Sequence, residues 1–281
     1  MKLALYQGPG VINSPDAAFA LMETKATEAR ANGARLLLFP KMYLSGHNVG
    51  AEDVRRHALT SAGLAPAQKI AQNLGMCLAF GYPERVGDQV ANAAVLIDAT
   101  GTILLNYRNS HLRGERDRAV FGVAGQEFPL ATVGGAKLGL LICYDIEFPE
   151  TARAVASLGA ELLIVTDGNM DPFGPVHRRA IVARAMENQI FAVLTNRCGA
   201  GADSMTFPGE SVLVDPFGEV VATAGAEAAR LSARIDLDRL SASRARYRYL
   251  DDARVALDLA KTDAAGSRPA LVIPEPRRRA G

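Results

Sequence analysis

The chain has 281 residues, carries 31 Lys plus Arg against 30 Asp plus Glu for a net charge of +1, and is 49% hydrophobic. That balance offers no basic face for nucleic acid, and the apolar content can fill one large domain or two small ones. The three cysteines, at 77, 143 and 198, have neither C-x-x-C spacing nor an even count, which argues against a disulfide framework or a zinc site and for a reducing cytosol.

The opening Met1-Lys2-Leu3-Ala4-Leu5-Tyr6 is too short an apolar run for a signal peptide, and no stretch approaches the ~18 apolar residues of a membrane span. A soluble, cytoplasmic protein with no membrane partner is expected. Residues 3–6 read as a strand. Residues 16–31 read as a helix, with Ser14 as N-cap, Pro15 at its first position and Asn32-Gly33 as its stop. Residues 35–39 form a continuous apolar run, typical of a strand buried on both faces. A helix over 65–73 and a buried strand over 76–80 follow. Segments 93–98 and 102–107 pair as a hairpin across Ala99-Thr100-Gly101. Beyond a loop come strand 138–144, helix 149–158, strand 161–166, helix 174–189 and strand 190–195. Segments 211–214 and 219–222 make a second hairpin around Asp215-Pro216-Phe217-Gly218.

The order β-α-β-α-β-hairpin thus occurs twice, without evident sequence repetition. Two sheets, each covered by helices on one face, would stack as an α/β four-layer α-β-β-α sandwich. No linker or composition break divides the halves, so residues 1–261 are expected to form a single domain. Residues 262–281 have weak periodicity and read as a C-terminal tail, solvated or packed across a subunit interface.

Cys143 ends the run Lys137-Leu138-Gly139-Leu140-Leu141-Ile142 and precedes a helix that starts at Pro149. A thiol where a strand end meets a helix N-terminus is placed for a thiolate nucleophile. Cys77 and Cys198 lack such surroundings and read as core. His111 is expected to order its loop and His177 to begin a helix face. A papain-like Cys143–His177 pair is set aside, because no Asp or Asn motif surrounds His177. His47 and His57 receive no function.

Three spaced segments resemble the nitrilase superfamily, the carbon–nitrogen hydrolases. Leu38-Phe39-Pro40-Lys41-Met42-Tyr43-Leu44-Ser45-Gly46 is similar to its F-P-E box, and Tyr107-Arg108-Asn109-Ser110-His111-Leu112-Arg113-Gly114-Glu115 to its Y-R-K-x-H-L-x-G-E box. The third is the Cys143 segment through Glu150. Ala183-Arg184-Ala185-Met186-Glu187-Asn188-Gln189 and Gly209-Glu210-Ser211 add support, and the likeness runs over roughly residues 3 to 240. It implies the four-layer fold, a homodimer or larger homo-oligomer, no metal and no organic cofactor. It also implies a cysteine nucleophile, a glutamate base, an oxyanion-stabilising lysine and a second, orienting glutamate.

Carried over by position, Cys143 and Glu115 are intact, but Lys41 stands where the base belongs and Asn109 where the lysine belongs. Phe39-Pro40 fixes the first register; Tyr107-Arg108 and His111-Leu112 fix the second. A protonated lysine is no base, though its charge should lower the Cys143 pKa. Asparagine can donate to an oxyanion but carries no charge. Loss of a general base costs ~10²–10⁴ in rate and loss of an oxyanion donor roughly 10²–10³, so an impaired hydrolase is expected. Three accounts stay open: an engineered or selected variant of an active amidase, a binding paralogue without catalysis, and a rewired enzyme using Lys41 at the oxyanion and Glu115 as base.

Tyr144-Asp145-Ile146-Glu147-Phe148-Pro149 resembles the amidase branch, which converts small carboxamides to acid and ammonia; a nitrile-hydrolysing relative is the alternative. Tyr144, Glu147, Asn169, Met170 and Phe173 are the candidate substrate-binding residues. The last three lie in a loop that reads equally as part of the family's acyl pocket or as an Asn- and Pro-rich turn.

Overall fold

The computed structural model describes residues 1–47, 49–201 and 204–254, together with the backbone of 260–264 and 268–272. The first half runs β1 (Lys2–Gln7), α1 (Pro15–Ala31), β2 (Leu36–Leu38), α2 (Ala51–Arg56), α3 (Ala65–Leu74), β3 (Cys77–Val86), β4 (Gln89–Ile97), β5 (Ile103–Arg108) and α4 (Gly114–Val120). The second half runs β6 (Leu130–Val133), β7 (Ala136–Ile142), α5 (Pro149–Ser157), β8 (Leu162–Thr166), α6 (Gly174–Asn188) and β9 (Phe191–Thr195). It continues with β10 (Cys198–Ala200), β11 (Thr206–Pro208), β12 (Val212–Val214), β13 (Val220–Thr223), β14 (Ala229–Arg234), α7 (Asp238–Arg246) and α8 (Tyr249–Asp252). A final hairpin, β15 (Ala260–Ala264) with β16 (Arg268–Val272), lies where the sequence gives an irregular tail from residue 262.

Two six-stranded sheets carry the fold, in the orders β14-β1-β2-β3-β4-β5 and β13-β12-β9-β8-β7-β6. Strand alternation divides the first sheet cleanly. Leu3, Leu5, Leu36, Leu38, Ala94, Leu96 and Tyr107 join Leu138, Leu140, Leu162 and Ile164 in one core between the sheets. Ala4, Leu37, Leu78, Phe80, Val95 and Ile97 face the opposite way, onto Phe19, Met22 and Ala26 of α1 and Ile70 of α3. Period-two alternation with apolar residues on both faces requires a layer on each side. Helices supply one and the partner sheet the other, as the α-β-β-α reading expects. Among the described residues, no helix is long and apolar enough to cross a membrane.

Several elements depart from the sequence expectation. The strand read over 76–80 continues to Val86 and turns back at Gly87-Asp88 into β4, despite Pro83 within it. Proline lacks the N–H donor, but its carbonyl is used: Pro83 O accepts from Leu59 N at 2.9 Å. β14, which returns from the second half to pair antiparallel with β1, alternates half-buried and exposed residues and shows too weak an apolar signal to be read. Cys143 and Tyr144 leave the strand in which they were expected and start a short 3₁₀ turn over Cys143–Glu147.

The turn after β2 is clamped against β3. Gly81 N donates to Pro40 O at 3.1 Å, and Tyr43 N donates to Gly81 O at 2.7 Å. A Cβ at Gly81 would lie 2.5 Å from Met42 N and 2.7 Å from the Lys41 Cα, both backbone atoms that cannot swing aside. Gly81→Ala should therefore lower stability by about 1–3 kcal/mol, the usual cost of overpacking. Urea unfolding monitored by circular dichroism checks this; an unchanged midpoint would show that the Lys41 turn is free to move.

Candidate active site

Strands β7, β8 and β9 run parallel, with Ile142 opposite Thr166 and Thr166 opposite Thr195. The residues that follow these strand ends, Cys143, Asp167 and Asn196, therefore emerge side by side. Lys41 arrives from the other sheet and is tied in by its own N–H, which donates to the Asp167 carbonyl at 3.0 Å. All four residues are buried.

Cys143 has φ +47°, a left-handed backbone that costs a non-glycine residue on the order of 1–3 kcal/mol. Asp145 holds the turn in place. Its Oδ2 accepts from Ile142 N at 3.1 Å and from the Tyr107 hydroxyl at 2.8 Å, and its Oδ1 accepts from Ser110 Oγ at 2.8 Å and His111 N at 2.9 Å. One carboxylate thus ties the Cys143 turn to the segment carrying Asn109. His111 stacks on Phe148 with centroids 3.9 Å apart, consistent with a loop-ordering role.

The Asn109 amide is committed to this scaffold. Its Nδ2 donates to the Ile142 carbonyl at 3.2 Å, and its Oδ1 accepts from Asn92 Nδ2 at 3.1 Å. Lys41 Nζ approaches Asp117 Oδ2 at 3.4 Å, and the buried Arg197 guanidinium donates to the Lys41 and Met42 carbonyls at 3.0 and 2.7 Å. Glu115 sits exposed in the first turn of α4, and the acid that α4 presents to Lys41 is Asp117.

Cys143, Asp167 and His177 each bring one ligand-type atom within 4.8 Å of the others, and all three are buried. The Asp167 carboxylate therefore faces the Cys143 thiol. His177 Nδ1 lies 3.0 Å from Asp167 Oδ2, and its Nε2 lies 3.0 Å from Glu147 Oε1. Both ring nitrogens therefore face carboxylates, an arrangement only the imidazolium satisfies fully. A zinc ion accepts such ligand types. Here it would have to displace the Asp167–His177 pair and sit beside the Lys41 ammonium, so the cluster suits proton transfer better than metal binding.

Burial pushes the Cys143 thiol up to about 12, against the downward pull of Lys41, and Asp167 adds to the rise. Lys41 does act in the expected direction, but desolvation outweighs it. Burial likewise opposes the Lys41 ammonium, yet its interactions with Cys143, Asp117 and Asp167 hold its pKa above the ordinary lysine value. Burial works against the Asp167 carboxylate too, and His177, the Cys143 thiol and Gly168 N–H overcome it to keep it ionised below the usual range. His177 is raised: burial resists its charge, but Asp167 and Glu147 prevail. His47, buried near Lys41 and against Gly168, is driven well below the ordinary histidine value by burial and by the surrounding cations. Its Nδ1 has no hydrogen-bond partner among the described residues.

The candidate substrate residues separate by role. Tyr144 is half-buried and meets Phe148 edge-on at 5.0 Å. Glu147 braces His177. The Asn169 side chain is spent on its own loop, donating to Phe173 O at 2.8 Å and accepting from Met170 N at 3.1 Å, which favours the turn reading for that residue. Met170 and Phe173 sit under Arg113, whose Nη1 lies 3.2 Å from the Met170 sulfur and whose guanidinium lies 4.5 Å above the Phe173 ring. Asp167, Asp145, Asp117 and Arg197 were not singled out from the sequence. A charged residue directly after an apolar strand, in parallel register with the Cys143 strand, is the signal that marks Asp167.

The sequence profile of the carbon-nitrogen hydrolase family matches residues 2–245. An (R)-stereoselective amidase from Pseudomonas sp is 42% identical over 275 residues, 97% of this chain and 98% of its own length. A 2-oxoglutaramate amidase from Bacillus subtilis is 30% identical over 81% of this chain and 88% of its own length. Among solved structures, a variant of the amidase from Nesterenkonia sp. AN1 in complex with acrylamide superposes with TM-score 0.79 at 31% identity, covering 90% of this chain and 94% of that one. Another variant of that amidase carries the acetamide moiety of fluoroacetamide on its active-site cysteine. With its two-sheet fold and its buried cysteine at the end of β7, the chain belongs to the carbon–nitrogen hydrolase family, on its amidase-like side.

Proposed function

We propose that this protein hydrolyses small carboxamides to the carboxylic acid and ammonia through a thioester on Cys143. In the first half-reaction the Cys143 sulfur bonds to the amide carbon, the thiol proton reaches the departing nitrogen, and ammonia leaves. In the second, water adds to the thioester, the acid departs and the thiol is restored. The carrying observation is a buried cysteine with positive φ at a strand end, flanked by one ammonium, Lys41, and one carboxylate, Asp167. Substrate enters near Tyr144, with Met170 and Phe173 under Arg113 forming one wall. The high identity to an (R)-stereoselective amidase supports a carboxamide substrate with a stereocentre.

A binding protein without catalysis is the second reading. The observation that favours it is the commitment of Asn109 to the Ile142 carbonyl, which leaves position 109 without the family's cation. Incubating the protein with aliphatic, aromatic and chiral amides and the matching nitriles separates these accounts. Ammonia release from amides is expected, with hydroxamate formed when hydroxylamine intercepts the thioester; Cys143→Ala should give neither. Amide binding with no ammonia and no hydroxamate favours the binding protein, and turnover confined to nitriles moves the chain to the alternative chemistry.

Cys143 is also proposed as the thiol that iodoacetamide labels first, ahead of the buried Cys77 and Cys198. Because Lys41 pulls the Cys143 pKa down, Lys41→Met should raise it and slow that labelling, roughly tenfold for each unit of the rise. Peptide mass spectrometry over a time course reads both, and prior labelling of Cys77 or Cys198 would remove Cys143 from the nucleophile role.

A cytoplasmic homodimer belongs to the same proposal. Met186 lies against Gly218 and is exposed, as are Val220 and Val221 on β13, so a second copy would cover apolar surface there. Light scattering should give twice the chain mass of 29.8 kDa, and a monomer at micromolar concentration would reject this part.

A further inference from the structure

Resting on the reading of Cys143 as an amidase nucleophile, we infer that Asp167 is the proton acceptor of this site and Lys41 its oxyanion-stabilising cation. The family's carboxylate and cation are then both present but displaced. The carboxylate has moved from position 41 to position 167, and the cation from position 109 to position 41. His177 is a positioning residue behind Asp167, and Glu147 stands behind His177.

Four observations carry this. Asp167 is fully buried and brings a carboxylate oxygen within 4.8 Å of the Cys143 sulfur. Its Oδ1 also accepts from Gly168 N at 2.8 Å and Asn169 N at 3.2 Å, which fixes the carboxylate plane. The alternative acid, Glu115, is exposed on α4. Lys41 is held by backbone and side-chain contacts on both sides, to Asp167 O, to Asp117 and through Arg197. A buried carboxylate close to the Cys143 sulfur and a buried ammonium whose charge acts on it supply the two kinds of group that acyl transfer to a thiol requires.

The chemistry balances. As the Cys143 sulfur bonds to the amide carbon, its proton passes to an Asp167 oxygen and the carbonyl electron pair goes to oxygen, facing the Lys41 ammonium. Asp167 then gives that proton to the nitrogen as the C–N bond breaks, and ammonia leaves. In deacylation, water loses a proton to Asp167 while its oxygen bonds to the thioester carbon; the proton returns to sulfur as the C–S bond breaks. His177 keeps Asp167 ionised at rest, so proton transfer accompanies bond formation rather than preceding it.

Asp167→Asn gives a test with opposite signs for the two possible roles. A carboxylate that is only a neighbouring charge raises the Cys143 pKa, so neutralising it would speed alkylation by iodoacetamide at pH 7. A carboxylate that accepts the proton must, when lost, slow alkylation, and amide turnover should fall at least ~10²-fold. Lys41→Glu with Asn109→Lys in the native background should give no gain, because two carboxylates then crowd one sulfur. Added to Asp167→Asn, the same pair should recover at least ~10-fold by returning the carboxylate to position 41.

For His177, the charged groups facing Asp167 are His177 itself, Lys41 and the Cys143 thiol, with Glu147 beyond the ring. His177→Gln removes the group that depresses the Asp167 pKa, so the acid limb of kcat/KM against pH should shift upward, with a smaller loss on the plateau than Asp167→Asn gives. A uniform loss at every pH would mark His177 as merely structural. Faster alkylation of Asp167→Asn, or a ~10²-fold gain from Lys41→Glu with Asn109→Lys alone, overturns the proposal while leaving the amidase reading intact. Should the native protein turn over no amide, the amidase reading fails and the alkylation series still decides the role of Asp167. Should Asp167→Asn fail to fold by circular dichroism, Asp167→Glu replaces it: retained alkylation and partial turnover support the acceptor role, and an alkylation rate above native opposes it.

Discussion

Three parallel strands that stop at the same level organise this molecule. β7, β8 and β9 are paired in register through Ile142, Thr166 and Thr195, and each is apolar to its last residues. The chain must leave the sheet where the apolar run ends, so the first polar or reactive residues after each strand come out together. Cys143 and Asp167 are neighbours for that reason rather than through any local motif. The opposing sheet brings Lys41 to the same place by the same device, at the end of β2, and a backbone hydrogen bond to Asp167 joins the two halves there.

Burial sets the electrostatic terms of the site. A thiol, a carboxylate, an imidazole and an ammonium share a volume with almost no access to water, so each charge must be answered by another. Asp167 is answered by His177, by Lys41 and by two backbone N–H groups; Lys41 is answered by Asp117 and Asp167. Cys143 alone has no full compensation, and its thiol stays protonated for that reason. In the proposed role, a thiol in this state depends on a partner that takes its proton during attack, which makes the identity of the adjacent carboxylate the central chemical question. The Asp145 hub plays a different part. It spends a buried carboxylate on four donors in order to hold the Cys143 turn and the Asn109 loop in one geometry.

The fold was largely legible because the strands of both sheets are continuous apolar runs and the principal helices carry clear stops, such as Asn32-Gly33 after α1. What escaped was either short or amphipathic by only a few residues: α2, α4, β6 and the edge strand β14, whose alternating half-exposed side chains give little signal. The places of Cys143 at the end of β7 and of Lys41 after β2 were readable from local strings. Asp167 and Asp117 were not, because their relevance arises from register and from contacts over 76 residues in the case of Lys41 with Asp117. His177 shows the limit most clearly. It had no acidic motif nearby in sequence, yet Asp167 lies ten residues before it and Glu147 thirty before it, and the fold closes both gaps.

The substitutions at 41 and 109 take on a different meaning once Asp167 is counted. Seen by position, the site has lost its carboxylate and its cation. Seen by charge, one carboxylate lies close to the sulfur and one buried ammonium acts on it, as the proposed acyl transfer demands. A glutamate at 41 together with Asp167 would place two buried carboxylates at one thiol, a combination that drives one of them to bind a proton and raises the thiol further. A lysine at 41 removes that conflict and supplies the charge that an amide at 109, tied to the Ile142 carbonyl, does not. Lys41 and Asp167 are therefore complementary, each making the other tolerable in a site without water. On the proposed assignment, Lys41 and Asp167 supply from other positions the charge pair that the resemblance implies at 41 and 109.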